Sequence, residues 1–171
     1  MKTIKLIVFY LLQWTWGISQ NIVGGLGWLL LALSGRHRRV MYHGAALTYV
    51  DTKKRFGGVS IGMFIFINGT KSEAWIHDSN IHEFGHCVQS IVLGPLYWIV
   101  VALPSMLWCN LPVFRKLHDT KATKHNYYRL YCEGWANVWG ARWTGEEFVT
   151  DELKRGAWFG KPWKKMKKEQ A

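Results

Sequence analysis

From Leu6 to Leu33 no position carries a charge, and about 20 residues suffice for a helix to cross a hydrocarbon layer. The run is uneven: Gln13, Ser19, Gln20 and Asn21 are polar, and Gly17, Gly24, Gly25 and Gly27 weaken a continuous helix. Two arrangements fit, one tilted span or two half-length helices bent between Gly17 and Gly27. A cleaved signal peptide competes, since Lys2 and Lys5 precede the run and Ala32-Leu33-Ser34 resembles a cleavage site. The length of the run, and the Arg36-His37-Arg38-Arg39 cluster that would follow the cut, favour a retained anchor over residues 1–35.

Further along, Ala46–Val50 is short and β-leaning, and Asp51–Gly58 supplies turn and charge. The run Val59–Ile67 then reads V-S-I-G-M-F-I-F-I before Asn68-Gly69 closes it. This pattern predicts a small β-hairpin. A helix follows, with Asp78, Ser79 and Asn80 as N-cap candidates, Ile81, Phe84, Val88 and Val92 as its apolar stripe, and Gly94-Pro95 as its stop. A second uncharged stretch, Val88–Leu111, is interrupted by Gly94-Pro95 and Pro104. It predicts a buried or re-entrant helical hairpin packed on the first anchor. Helical periodicity returns from Thr123 to about Arg142.

Composition places this pattern at a membrane. Apolar residues make up 49% and charged residues 19% of 171 positions, which excludes a disordered, collagen-like or coiled-coil chain. The 22 Lys and Arg against 11 Asp and Glu leave a net charge of +11, and there are 11 Trp. The positive charge flanks the apolar segments and fills the tail, where five lysines surround Pro162, Trp163 and Met166. A lipid membrane is therefore the expected partner, with the basic regions on the cytoplasmic side. Nucleic acid is not expected, because no zinc-finger spacing, recognition-helix pattern or aromatic strand signature organises the charge. Cys87, Cys109 and Cys132 lack paired spacing and are expected to be reduced thiols.

The candidate chemistry lies in His82-Glu83-Phe84-Gly85-His86, an H-E-x-x-H string. On a helix, residues four apart point the same way, so His82 and His86 can grip one metal ion, Zn²⁺ by the preference of neutral imidazole. Glu83 between them is placed to act as general base on a water held by the metal. Gly85 is expected to remove bulk beside the site. A third ligand is available in Glu133, on the later helix, since a lone carboxylate in so aromatic a segment costs heavily unless paired or ligated. A salt bridge to Arg129 is the plainer alternative. Asn137, one turn beyond, can hydrogen-bond the outer nitrogen of a ligating histidine. His37, His43 and His77 have no partner spacing and are taken as non-ligands.

The order H-E-x-x-H, some tens of residues, then E-x-x-A-N resembles the gluzincin metallopeptidases, their membrane-embedded members above all. The fuller string from Ser79 through Gln89-Ser90, Gly94-Pro95-Leu96-Tyr97 and Pro104-Ser105 to Glu133-Gly134-Trp135-Ala136-Asn137 also resembles a set of small uncharacterised bacterial proteins. The family's usual Asp four residues after the glutamate is Asn137 here. The resemblance implies an α+β, mostly helical fold with one or more membrane-associated helices, a small β-hairpin and a zincin-type pair of metal-binding helices. The resemblance covers roughly Gly57–Gly140; the hydropathy and charge patterns set the expected domain at residues 36–145, with an apolar helical hairpin at 88–111 and a polybasic tail at 146–171. The resemblance implies a zinc metallopeptidase with a peptide or protein substrate, and the basic clusters put the expected location at a bacterial inner membrane with the active site on the cytoplasmic side. His82, His86 and Glu133 would hold zinc and Glu83 would move the proton. His125 or Tyr128 would stabilise the oxyanion, and a strand before the site helix would pair with an extended substrate. Two alternatives stay open: a non-catalytic membrane module with a structural zinc site, and a basic lipid- or nucleic-acid-binding module.

Overall fold

The uncharged first segment forms two helices, α1 (Thr3–Trp14) and α2 (Ile18–Leu33), meeting at a 90° bend in the computed structural model of the chain. The structure describes residues 3–35, 37–54, 56–119 and 127–150. The bent arrangement is thus the one adopted, with the break at Thr15–Gly17. No single helix among the described residues is long and apolar enough to cross a membrane; the bent pair meets that test only when both halves are taken together.

The polar residues of this segment face inward. Gln13 Nε2 donates to Cys87 O, Gln20 Nε2 to Gly94 O, and Asn21 Nδ2 to Gln13 O, while Asn21 Oδ1 accepts from Met63 N–H. All three side chains are buried. Each such bond ties a side chain of the pair to the backbone of a neighbouring element, at about 0.5–1.5 kcal/mol net apiece. Phe9, also fully buried, stacks on Phe84 with ring centroids 5.7 Å apart.

Four strands form one mixed sheet: β1 (His37–Tyr42), β2 (Ala45–Val50), β3 (Gly58–Ile61) and β4 (Phe64–Asn68), in the order β1-β2-β4-β3. Two expectations need correction. The run Val59–Ile67 is not one strand, because Gly62, at φ +63°, turns the chain between β3 and β4. A side chain at Gly62 would also strike Asn21 Oδ1, the atom that holds the adjacent Met63 N–H. Nor do Ala46–Val50 and the following run make a hairpin, since β2 and β4 are parallel. The hairpins are instead β1–β2 and β3–β4. Strand β1 arises from the basic cluster itself, turning into β2 through His43-Gly44, both at positive φ.

Along β4 the period of two separates the faces. Ile65 and Ile67 enter the main core with Leu47, Phe84 and Val88, while Phe64 and Phe66 lie under Gly25 and Gly27 of α2. The sheet is thereby covered on one face by α2 and on the other by α3 (Glu73–Leu93). That helix starts about two turns earlier than expected, capped by Ser72. Asp78 is instead buried mid-helix and accepts the N–H groups of Val149 and Thr150. Burial acts to raise its pKa, but these hydrogen bonds outweigh it and the carboxyl is held below its ordinary value. The chain then passes through a 3₁₀ turn (Gly94–Leu96) and a π turn (Trp98–Ala102) into α4 (Leu103–Asn110) and α5 (Pro112–Asp119). Pro104 sits in the first turn of α4 and does not break it. After a 3₁₀ turn at Tyr127–Arg129, α6 (Tyr131–Thr144) closes against α3.

Candidate metal centre

Two glycines decide how α3 meets α6. A Cβ at Gly85 would lie 1.9 Å from Ala136 O, and one at Gly140 would lie 2.0 Å from Ile81 O. The two backbones touch, so side chains one turn away on each helix are forced to face one another. Gly85 therefore serves the helix crossing, not the clearance beside the site expected from the sequence.

At this crossing His82, His86 and Glu133 converge, with their nearest ligand atoms all within 4.8 Å of one another. Glu133 Oε2 lies 3.1 Å from His82 Nε2 and 3.4 Å from His86 Nε2. Neither contact has hydrogen-bond alignment, and Oε2 is buried without a hydrogen-bond partner among the described residues. The salt bridge to Arg129 weighed above is not what holds Glu133; its carboxylate points at the two imidazoles.

The outer nitrogens are tied down. His82 Nδ1 is 2.6 Å from Asn137 Oδ1, and His86 Nδ1 is 2.6 Å from Gln89 Oε1. Both oxygens can only accept, so each Nδ1 carries a proton, and in the neutral ring each Nε2 offers its lone pair to the shared point. Gln89 is itself oriented, because its Nε2 donates to Cys132 O at 2.7 Å. The sequence reading missed Gln89 as a functional residue. The available signal was its place three residues after His86, on the same helix face.

The charges are coupled. Burial opposes the charge of His86, but the Glu133 carboxylate outweighs it and raises the imidazole to about 9. Burial likewise acts against the charge of Glu133, and the two histidines override it, holding that carboxyl well below the usual range. For Glu83 burial prevails over both histidines and the pKa rises. Glu133 thus takes its counter-charge from the histidines, and a cation between the three could supply the same charge. Two imidazole lone pairs and an orphaned carboxylate oxygen suit a divalent cation of the zinc type.

Glu83 is buried beside this group and accepts from Ser60 Oγ at 3.0 Å. Strand β3 presses on it so closely that a Cβ at Gly58 would lie 2.5 Å from Glu83 Oε1. Tyr97 Oη donates to Ser60 O, locking the same strand from the other side. Tyr128 packs edge-on against the His82 ring at 5.0 Å between centroids. His125 lies outside the described residues. His43 and His77, read as non-ligands, both reach Glu146 rather than the His82–His86–Glu133 group, at 2.7 and 3.5 Å.

Comparisons with protein families, with curated proteins and with solved structures return no match to this chain.

Proposed function

We propose that this chain is a membrane-associated zinc-dependent metallopeptidase, acting near the cytoplasmic face of a bacterial inner membrane on peptide or protein substrates. The observation that carries the reading is the orphaned Glu133 Oε2 facing two imidazole lone pairs whose tautomers Asn137 and Gln89 set. His82, His86 and Glu133 would hold the ion. When bound, zinc supplies Lewis acidity, polarising a substrate carbonyl and acidifying water.

Glu83 supplies the proton traffic. Its raised pKa suits a general base, which takes a proton from the attacking water and passes it to the leaving amine. The Ser60 hydroxyl keeps one carboxylate oxygen fixed during this transfer. The edge strand β3 offers Gly58 and Val59 as its exposed positions, while the Ser60 carbonyl is already taken by Tyr97. An extended substrate would pair with the exposed part. Of the two oxyanion-donor candidates Tyr128 is the one described, its ring edge-on against His82.

A structural zinc site is favoured by one observation, the burial of His82, His86 and Glu133. Structural sites, however, take four protein ligands, and only these three converge among the described residues. The test is Glu83→Gln, which should keep the metal and lower hydrolysis of a peptide pool by at least about 100-fold. Unchanged turnover with metal retained would remove Glu83 from the mechanism.

A further inference from the structure

The N-terminal helix pair is built inside out. Beside Phe9 and Gly24, its buried positions are the polar Gln13, Gln20 and Asn21, whereas its exposed positions, Lys5 apart, are mainly apolar and recur at helical spacing. On α1 these are Ile4, Ile7, Leu11 and Trp14, and on α2 they are Ile22, Leu26, Leu30 and Leu33. Each set advances by three or four residues and so forms one outward stripe. The segment through the π turn and α4 repeats the pattern with Ile99, Leu103 and Met106, all about half exposed or more. The segments adjoin, because Trp98 Nε1 donates to Ser19 Oγ and Gln20 bonds Gly94 O.

Water is a poor partner for three outward apolar stripes, and their lengths say how a bilayer would take them. By residue count α2 is about 24 Å long and α1 about 18 Å, against a hydrocarbon core of roughly 30 Å. The buried amides hold both arms of the 90° bend to α3 and to the β3–β4 turn. Lys5 of α1 turns back toward α6, and Arg39 of β1 lies over a ring of α2. Lys5 Nζ lies 5.7 Å from the Trp143 ring, and the Arg39 guanidinium 4.6 Å from the Trp28 ring.

Resting on the membrane association proposed above, we infer that α1, α2 and the 98–110 segment dock into one leaflet of an anionic bilayer and return to the side they entered. The occupant of the exposed face is acyl chain, and the net charge of +11 fits an anionic headgroup layer around it. The same attachment reaches the candidate site. Trp108 of α4 donates to Tyr127 O and Tyr131 of α6 to Val100 O, so the lipid-facing segment holds the start of the helix bearing Glu133.

The test uses the full chain with Cys109→Ser and a single new thiol at either exposed end of the pair, Thr3→Cys or Ser34→Cys. Right-side-out and inside-out membrane vesicles from expressing bacteria are treated with a membrane-impermeant maleimide. One-leaflet docking predicts that both thiols react in the same vesicle type and in neither case in the other. Reaction in opposite vesicle types would overturn the inference and leave membrane association standing. Recovery of the protein in the aqueous fraction, as a dimer or otherwise, with no flotation on vesicles of phosphatidylcholine and phosphatidylglycerol, would overturn both.

Discussion

Two helix pairs in this molecule bury polar side chains against glycine contacts, and they do it to opposite ends. In the α1–α2 pair, Gln20 and Asn21 spend their amides on backbone groups of Gly94, Gln13 and Met63. In the α3–α6 pair, the buried polar side chains face each other, and Glu133 Oε2 has no hydrogen-bond partner among the described residues. Polar groups satisfied by backbone stitch elements together. Polar groups that converge and remain short of a charge are built to hold something.

The sharpest way to break this contrast is at the α3–α6 crossing. Gly85→Ala puts a methyl within 1.9 Å of a backbone oxygen that has no side chain to move aside. We expect a loss of about 3 kcal/mol or more in thermal or denaturant unfolding, together with loss of bound metal. In the other pair, Asn21→Ala strips partners from Met63 N–H and Gln13 O. Its expected cost is about 2 kcal/mol of stability, with metal content per folded chain unchanged. Metal loss in that variant would mean the two pairs are not separable.

A finer cut compares two glutamines. Gln20 and Gln89 are both fully buried and both donate to a backbone carbonyl, but only Gln89 also fixes a histidine. Gln89→Leu should weaken zinc affinity by about 10–100-fold, by competition with a chelator, whereas Gln20→Leu should leave it unchanged. Equal affinities in the two variants would erase the distinction.

Much of the site was legible because its signals are local. The i, i+4 spacing of His82 and His86 and the scarcity of acids around Glu133 suffice to bring the three together on paper. Asn137 follows from its place one turn after Glu133. What escaped the sequence depends on tertiary contacts. Asp78 looks like an N-cap but serves Val149 and Thr150, and the real cap, Ser72, precedes it by six positions. The charges of Arg38 and Arg39 hide a strand, because their guanidinium groups lie over Tyr49 and Trp28 while the backbone pairs with β2. In V-S-I-G-M-F-I-F-I, the turn at Gly62 depends on Asn21, 41 positions away in the chain, and no local pattern announces it. The N-terminal segment was legible as apolar, yet not as a packed part of the core, since that rests on Phe9 meeting Phe84.

The central claim, a three-ligand metal centre at the α3–α6 crossing, is tested most directly by metal analysis of the purified protein beside His86→Ala and Glu133→Ala, each checked for folding. The account predicts about one zinc per chain in the parent and its loss from both folded variants. Zinc absent from the parent, or retained in full by either variant, would contradict it.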